Sequence, residues 1–252
     1  MGAADARLRP KTTKSADRRL FSLTVGRTLH EPQRARDAET VNAPLRPRDA
    51  ASLILFDRSG PQLRVLMGQR SNAHVFMPGA YVFPGGKRDP RDHALPFSGD
   101  LHPAVLRSLT ASAARRLSAA GARALALAAA RELFEETGVD LGLGAGGPDL
   151  SRFRYVARAI TPPGNVRRYD TRFFCCYSDE LGLDVRLTRD SDELSNVQWL
   201  DMTDLSGLNM PKITRTVLED VTKLMIGDPS LPFESPARLY VTRHGRFIRE
   251  FV

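Results

Sequence analysis

Residues 104–137 are rich in Ala, Leu and Arg and read as helix, with a break expected at the single glycine, Gly121. Gly138 then stands where a helix takes a left-handed C-terminal residue. Strand-length apolar runs lie on both sides of this helix, and that combination limits the fold more than any other feature. Upstream, residues 50–56 and 63–67 flank the turn Asp57-Arg58-Ser59-Gly60-Pro61 and predict a hairpin. Residues 77–86, punctuated by Pro and Gly, predict loop with one brief strand. Downstream, residues 152–160 alternate, with Phe153, Tyr155, Ala157 and Ala159 expected on one face. Residues 168–177 and 196–200 predict two more strands, and 240–241 and 247–252 terminal ones. In residues 212–226, Ile213, Val217, Val221, Leu224 and Met225 fall at helical spacing beside Pro211. This order predicts a mixed α/β sandwich without the βαβαβ rhythm of a doubly wound sheet.

Charge separates a basic, flexible N-terminal arm over residues 1–49 from a domain over 50–252. The chain has 252 residues with net charge +8. Eleven Lys/Arg against six acids put +5 of that in the arm. With few aromatics and interrupting acids, the arm reads as solvated; nucleic-acid binding and an organelle transit peptide are the less favoured readings. No run approaches the ~18 apolar residues of a membrane span, and MGAADARLRPKTTK lacks the apolar core of a secretory signal. The adjacent Cys175 and Cys176 suggest neither a disulfide framework nor a tetrahedral metal site. The expected location is the reducing cytoplasm.

The chemistry concentrates in Arg131-Glu132-Leu133-Phe134-Glu135-Glu136-Thr137-Gly138-Val139. At ~100° per residue, Glu132, Glu135 and Glu136 share one helix face, and Ala126, Leu127, Ala130, Leu133 and Phe134 are expected to pack opposite. Like charges at i,i+3 and i,i+4 weaken a helix by a few tenths of a kcal/mol per pair. By itself such a face is an ordinary solvated one; clustered carboxylates also suit a hard divalent cation.

Phe83-Pro84-Gly85-Gly86-Lys87, followed by the Arg131–Val139 segment, resembles the two halves of the Nudix box, G-x5-E-x7-R-E-U-x-E-E-x-G-U, where U is a bulky aliphatic residue. Every fixed position of the second half is matched. In the first half Asp92 stands where the family has Glu. Gly86 and Arg131 stand 45 apart against a family spacing of 14, so about 31 extra residues, within the insertion at 88–122, interrupt the box. This is similar to a coenzyme A diphosphatase-like subgroup with a split box. Arg70-Ser71 with Gly79 resembles that subgroup's preceding signature, except that Val75 replaces a basic residue. Thr161-Pro162-Pro163-Gly164 and Arg168–Phe174 resemble it too.

The resemblance implies an α+β fold, an α/β/α sandwich with a mixed sheet, flanking helices and a helical insertion. It implies hydrolysis of a nucleoside diphosphate linked to another group, here coenzyme A or an acyl-CoA, giving 3′,5′-ADP and (acyl-)4′-phosphopantetheine. Mg²⁺ or Mn²⁺ would be held by Glu132, Glu135, Glu136 and the Gly85 carbonyl. Arg131 would orient a carboxylate, with Glu132 as first choice of general base and Glu193 as the loop alternative. Arg70, Arg168 and Arg172, in segments the resemblance matches, are candidates to bind substrate phosphate, with solvent-facing strand arginines as the equal alternative. Phe76, Met77, Tyr81 and Phe173 are candidates to contact base or pantetheine, with core packing as the commoner role of such residues. The partner is a small-molecule diphosphate.

Other readings keep the chemistry with ADP-ribose, a nucleotide sugar or capped RNA, or make the domain a binder without hydrolysis. The insertion is open to three readings: a cap on the site, a homodimer surface, or a plain surface helix. Gly142-x-Gly144-x-x-Gly147 follows a helix and runs into Pro148, so it lacks the strand–loop–helix setting of a dinucleotide loop.

Overall fold

The structure, a computed structural model, describes residues 45–71, 77–111 and 117–252. The expected arm therefore lies outside the described residues up to position 44. Nine strands and three α-helices are found among the described residues: β1 (Arg48–Asp57), β2 (Arg64–Arg70), β3 (Tyr81–Val82), β4 (Gly85–Lys87), α1 (Pro103–Thr110), α2 (Ala119–Thr137), β5 (Arg154–Ile160), β6 (Tyr169–Tyr177), β7 (Leu194–Asp201), α3 (Lys212–Gly227), β8 (Arg238–Arg243) and β9 (Arg246–Phe251).

One sheet runs β3-β2-β1-β6-β5-β8-β9, with β4 added to β1 and β7 to β2. It is mixed. β1 and β6 pair in parallel from Arg48↔Tyr169 to Phe56↔Tyr177, β5 and β8 are parallel, and the remaining pairs are antiparallel. Side chains alternate across the strands and build two cores. On one face Ala51, Leu53, Leu55, Phe174 and Cys176 pack with α1 and α2; on the other Ile54, Phe56, Phe173, Cys175 and Tyr177 pack with α3. The expected helix–sheet–helix sandwich is thus found. Cys175 and Cys176 are buried free thiols, one facing each core. Among the described residues no helix is long and apolar enough to cross a membrane.

α2 positions the site. Every residue from Ala124 to Ala130 is buried, because the helix lies between the sheet and α1 and small alanines allow close approach. Ser118 caps its start by accepting the Gly121 N–H, and Gly138, at φ 75°, ends it in the left-handed region. The break expected at Gly121 instead falls before Ser118, and Gly121 lies inside the first turn, where the serine cap sets the boundary.

Two expected faces differ from those found. A bulge between Tyr155 and Ala157 turns Val156 and Ala157 together into the α3 core, leaving Phe153 and Tyr155 in the other. Phe134 is 37% exposed; in the last turn of α2 it is covered by the Arg189 guanidinium, 5.8 Å from its ring, rather than by the core.

Candidate active site

The Gly85-Gly86 strand lies directly against the carboxylate face of α2. β4 is fixed by pairing with β1 at Ser52↔Gly85, Ala51↔Gly86 and Ala50↔Lys87. A Cβ on Gly85 would fall 2.5 Å from the Ala51 carbonyl oxygen and 2.6 Å from Ser52 Cα, so only glycine lets the strand sit this close to β1. A Cβ on Gly86 would fall 2.4 Å from Glu132 Cδ. The second glycine therefore leaves room for the Glu132 carboxylate.

The three glutamates, expected as one face, are in three environments. Glu136 is buried and accepts the Gly85 N–H at 2.8 Å. Glu132 is mostly covered and accepts from Arg131 Nη1 at 2.8 Å. Glu135 is exposed and accepts from the same Nη1 at 2.9 Å. Arg131 uses all five donors: Nε and Nη2 reach Asp92, Nη1 reaches Glu132 and Glu135, and Nη2 also reaches the Lys87 carbonyl. The hydrogen bond to Asp92 leads in holding its pKa far above the ordinary value.

Burial raises the pKa of Glu132, partly offset by Arg131, with Glu135 and Glu193 adding to the rise. Burial pushes Glu136 up to about 8 against the pull of the Gly85 N–H; Glu132 and Glu193 push the same way, and Arg70 pulls it down. Glu193 and Arg70 are thus near enough for their charges to act on the buried glutamate. They come together because Arg70 pairs with Leu194 and the Ser71 N–H donates to the Glu193 carbonyl.

Arg168 and Arg172 are not brought to this cluster. Arg168 donates to the carbonyls of Thr161 and Leu45. Arg172 is 3% exposed and ion-pairs with Asp49 and Asp170. Both are engaged by the protein where free phosphate-binding groups are expected, because sheet order sets them beside these acceptors. Among the expected base or pantetheine contacts, Tyr81 accepts from Asn196 and Gln198, Phe173 packs edge-on to Phe83 in the α3 core, and Met77 is exposed. Phe76 lies outside the described residues.

Sequence reasoning missed Asp190. Its carboxylate accepts the N–H groups of Asn196 and Val197, both at 2.9 Å. These two residues face the single Gly68 in a β7 bulge, and Asn196 takes φ 50°. The Asp–x5–Asn spacing is the available signal, and it is too common to have found the contact.

Among the described residues no three His, Cys, Asp or Glu side chains converge as a metal cage. The donor set nevertheless fits a hard divalent cation. Such an ion is ordinarily held by one or two carboxylates together with waters and substrate oxygens. Glu132 and Glu136 are covered, carry mutually repelling charge and have raised pKa values, all of which a cation between them would relieve.

Comparison with known proteins places this geometry. Residues 119–221 match the family model described as NUDIX domain. The match opens at the first residue of α2 and ends within α3, so it takes in the Arg131–Val139 half of the box and leaves out β4. The fold is similar to that of a NUDIX hydrolase from Alicyclobacillus acidocaldarius, at 25% identity and TM-score 0.51, covering 72% of this chain and 96% of that one. Similarity also extends to a MutT NUDIX hydrolase from Burkholderia pseudomallei (20% identity, TM-score 0.43, covering 70% and 99%). A third similar structure is the NUDIX domain of Shewanella oneidensis NrtR, solved with ADP ribose (15% identity, TM-score 0.46, covering 72% and 90%). A search of curated proteins returns no significant match. The glutamates of α2 thus lie in the stretch of sequence that matches the NUDIX domain model, on a fold similar to that of a NUDIX hydrolase.

Proposed function

We propose that this Nudix hydrolase cleaves the diphosphate bond of coenzyme A or its acyl thioesters with a divalent cation, Mg²⁺ or Mn²⁺. The observation that carries the proposal is the seating of Glu136 on the Gly85 N–H and of Glu132 over Gly86, which puts two covered carboxylates beside an open glycine strand. The split box around the 88–122 insertion supports the choice of coenzyme A. The buried free thiols agree with a cytoplasmic location.

Glu132, Glu136, the more exposed Glu135 and the Gly85 carbonyl would hold the cation. When bound, it supplies charge neutralisation for the phosphoryl oxygens and lowers the pKa of water. Water attacks one phosphorus as the bond from that phosphorus to the bridging oxygen breaks, and the electron pair stays with the leaving phosphate. Glu132 takes the proton from the attacking water, with Glu193 the alternative base across the cluster. Arg131 holds Glu132 and Glu135 and, being tied to Asp92 and Lys87, keeps them in register with β4. Arg70 is the arginine of the three with a charge acting on the cluster, and binds substrate phosphate.

The test is kcat/KM with Mg²⁺ or Mn²⁺ across coenzyme A, acyl-CoA, ADP-ribose, a nucleotide sugar and a capped RNA. Release of 3′,5′-ADP is expected to dominate and to vanish in Glu135→Gln and Glu136→Gln proteins that keep their fold. Activity retained in both variants overturns the cation assignment, and a higher value for another diphosphate overturns the choice of substrate.

A further inference from the structure

The sheet ends on one side at β9, which among the described residues pairs with β8 alone. Open edges are ordinarily blunted by a bulge, a proline or a lysine. β7, which pairs with β2 alone, carries a bulge, and Asp190 takes the N–H groups of Asn196 and Val197 there. β9 has none of these devices: it pairs regularly with β8 from Arg246 to Phe251 and contains neither proline nor lysine.

The hairpin turn fixes which groups of β9 face outward. His244 and Gly245 take φ 50° and 74°, the two-residue turn that closes on a hydrogen-bonded pair, here Arg243↔Arg246. Bonded pairs then alternate along the strand, so Arg246, Ile248 and Glu250 bond to β8. Val252 follows the same parity, its N–H donating to the Ala237 carbonyl at 2.9 Å. Phe247, Arg249 and Phe251 therefore direct N–H and C=O to the open side. The two phenyl rings are 51% and 55% exposed, yet held in place: Phe247 stacks on Tyr240, and the Arg238 guanidinium lies 3.9 Å from the Phe251 ring.

We propose that β9 pairs antiparallel with β9 of a second copy of this chain, joining the two sheets across a two-fold axis at Ile248. Charge selects this register. Outward residues must face outward residues, so the axis passes through a residue, and Ile248 or Arg249 gives the greatest overlap. An axis at Arg249 sets two like guanidinium groups directly opposite each other. An axis at Ile248 lets that residue meet its equal, sets Phe247 opposite Arg249, and sets Arg246 opposite Glu250. By symmetry the last two pairs each form twice. Arg249 keeps its ion pair with Asp220, and Glu250 stays beside Arg243, so no existing pair is broken. A two-fold contact uses up both edges, and assembly stops at two.

Sedimentation equilibrium of the full chain over a wide concentration range, at low salt, is expected to show a reversible monomer–dimer equilibrium. Arg246→Glu and Glu250→Arg each bring like charges together twice and should weaken the dimer about tenfold or more. The double variant restores the cross-pairs, gives Arg243 an acid at 246 in place of 250, and should recover most of the affinity. Phe247→Pro deletes an outward N–H, leaves the bonds to β8 in place, and should also dissociate the dimer. Melting curves identify any single variant that fails to fold, and recovery in the double variant tests the register independently of them. A monomer at every concentration leaves the edge to another occupant and overturns the proposal. So does a dimer that withstands Phe247→Pro and both reversals, or a double variant no tighter than the single ones.

Discussion

Arg131 Nε donates to Asp92 Oδ1 at 2.7 Å although the two residues stand 39 positions apart. Asp92 is fully buried, caps a short 3-10 turn through the Asp89 N–H, and gives both carboxylate oxygens to the arginine. Most of the insertion lies in the chain between them, and the pair closes across it. Asp92 is also the position that falls six residues after Gly86 in the box count, so a shorter acid makes a close contact with the arginine there.

Removing that acid takes two of the five hydrogen bonds from a partly buried cation. Asp92→Ala should cost about 3 kcal/mol, the scale for stripping one partner from a buried ion pair. It should also release Glu132 and Glu135 from a fixed geometry. Urea unfolding is expected to show a lower midpoint at unchanged slope; an unchanged midpoint would mean that Arg131 re-pairs without loss.

Adjacent glycines should fail in different ways. Gly85→Ala drives a methyl into the backbone of β1, and overpacking of this kind costs about 1–3 kcal/mol. Gly86→Ala meets the end of a glutamate side chain, which can swing away. It should keep most of the stability and lose hydrolytic rate by about tenfold or more, since displaced positioning groups cost on that scale or above. Thermal unfolding together with kcat separates the two; equal stability losses would contradict the close seating of Gly85 on β1.

The sequence reveals α2 clearly because its signals are local. Carboxylates at i, i+3 and i+4 and a glycine at the left-handed terminus do not depend on the rest of the chain. α3 is likewise legible, ending within one residue of its expected bounds, since an apolar stripe after Pro211 is enough. Partners set by sheet order are not legible. Arg172 reads as a free strand arginine until β1 is known to lie beside β6, bringing Asp49 to it. The face of Ala157 depends on a bulge against β6, which strict alternation cannot anticipate. Burial of Glu136 but not Glu135 follows from where β4 docks, not from their angle around the helix.

Glu136 should make the metal-free protein sensitive to pH. Its pKa is raised from 4.5 to about 8 in the folded chain by burial. Between those values the folded form holds a proton that the unfolded form has lost, so this group's contribution to stability falls as pH rises through the window. Glu136→Gln keeps an acceptor for the Gly85 N–H and cannot ionise. In chelator, the melting temperature of wild type relative to Glu136→Gln should decline from about pH 5 to about pH 8. Divalent cation should restore the wild type at the upper end only. A pH-independent difference between the two proteins would contradict the burial argument.

Asp190 is expected to act on catalysis through Glu193. Its two oxygens hold the N–H groups that the β7 bulge leaves unpaired at Asn196 and Val197, and Glu193 immediately precedes the strand so fixed. Asp190→Ala should cost about 1–2 kcal/mol for two hydrogen bonds to a charged group near the surface. If Glu193 is the base, the same change lowers kcat while KM holds, since Arg70, the arginine proposed to bind substrate phosphate, stays in β2. The discriminating measurement is a double-mutant cycle with Glu193→Gln. Coupling predicts that Asp190→Ala adds no further loss of kcat once Glu193 is an amide. Additive losses would assign the bulge to stability alone and leave Glu132 as the base.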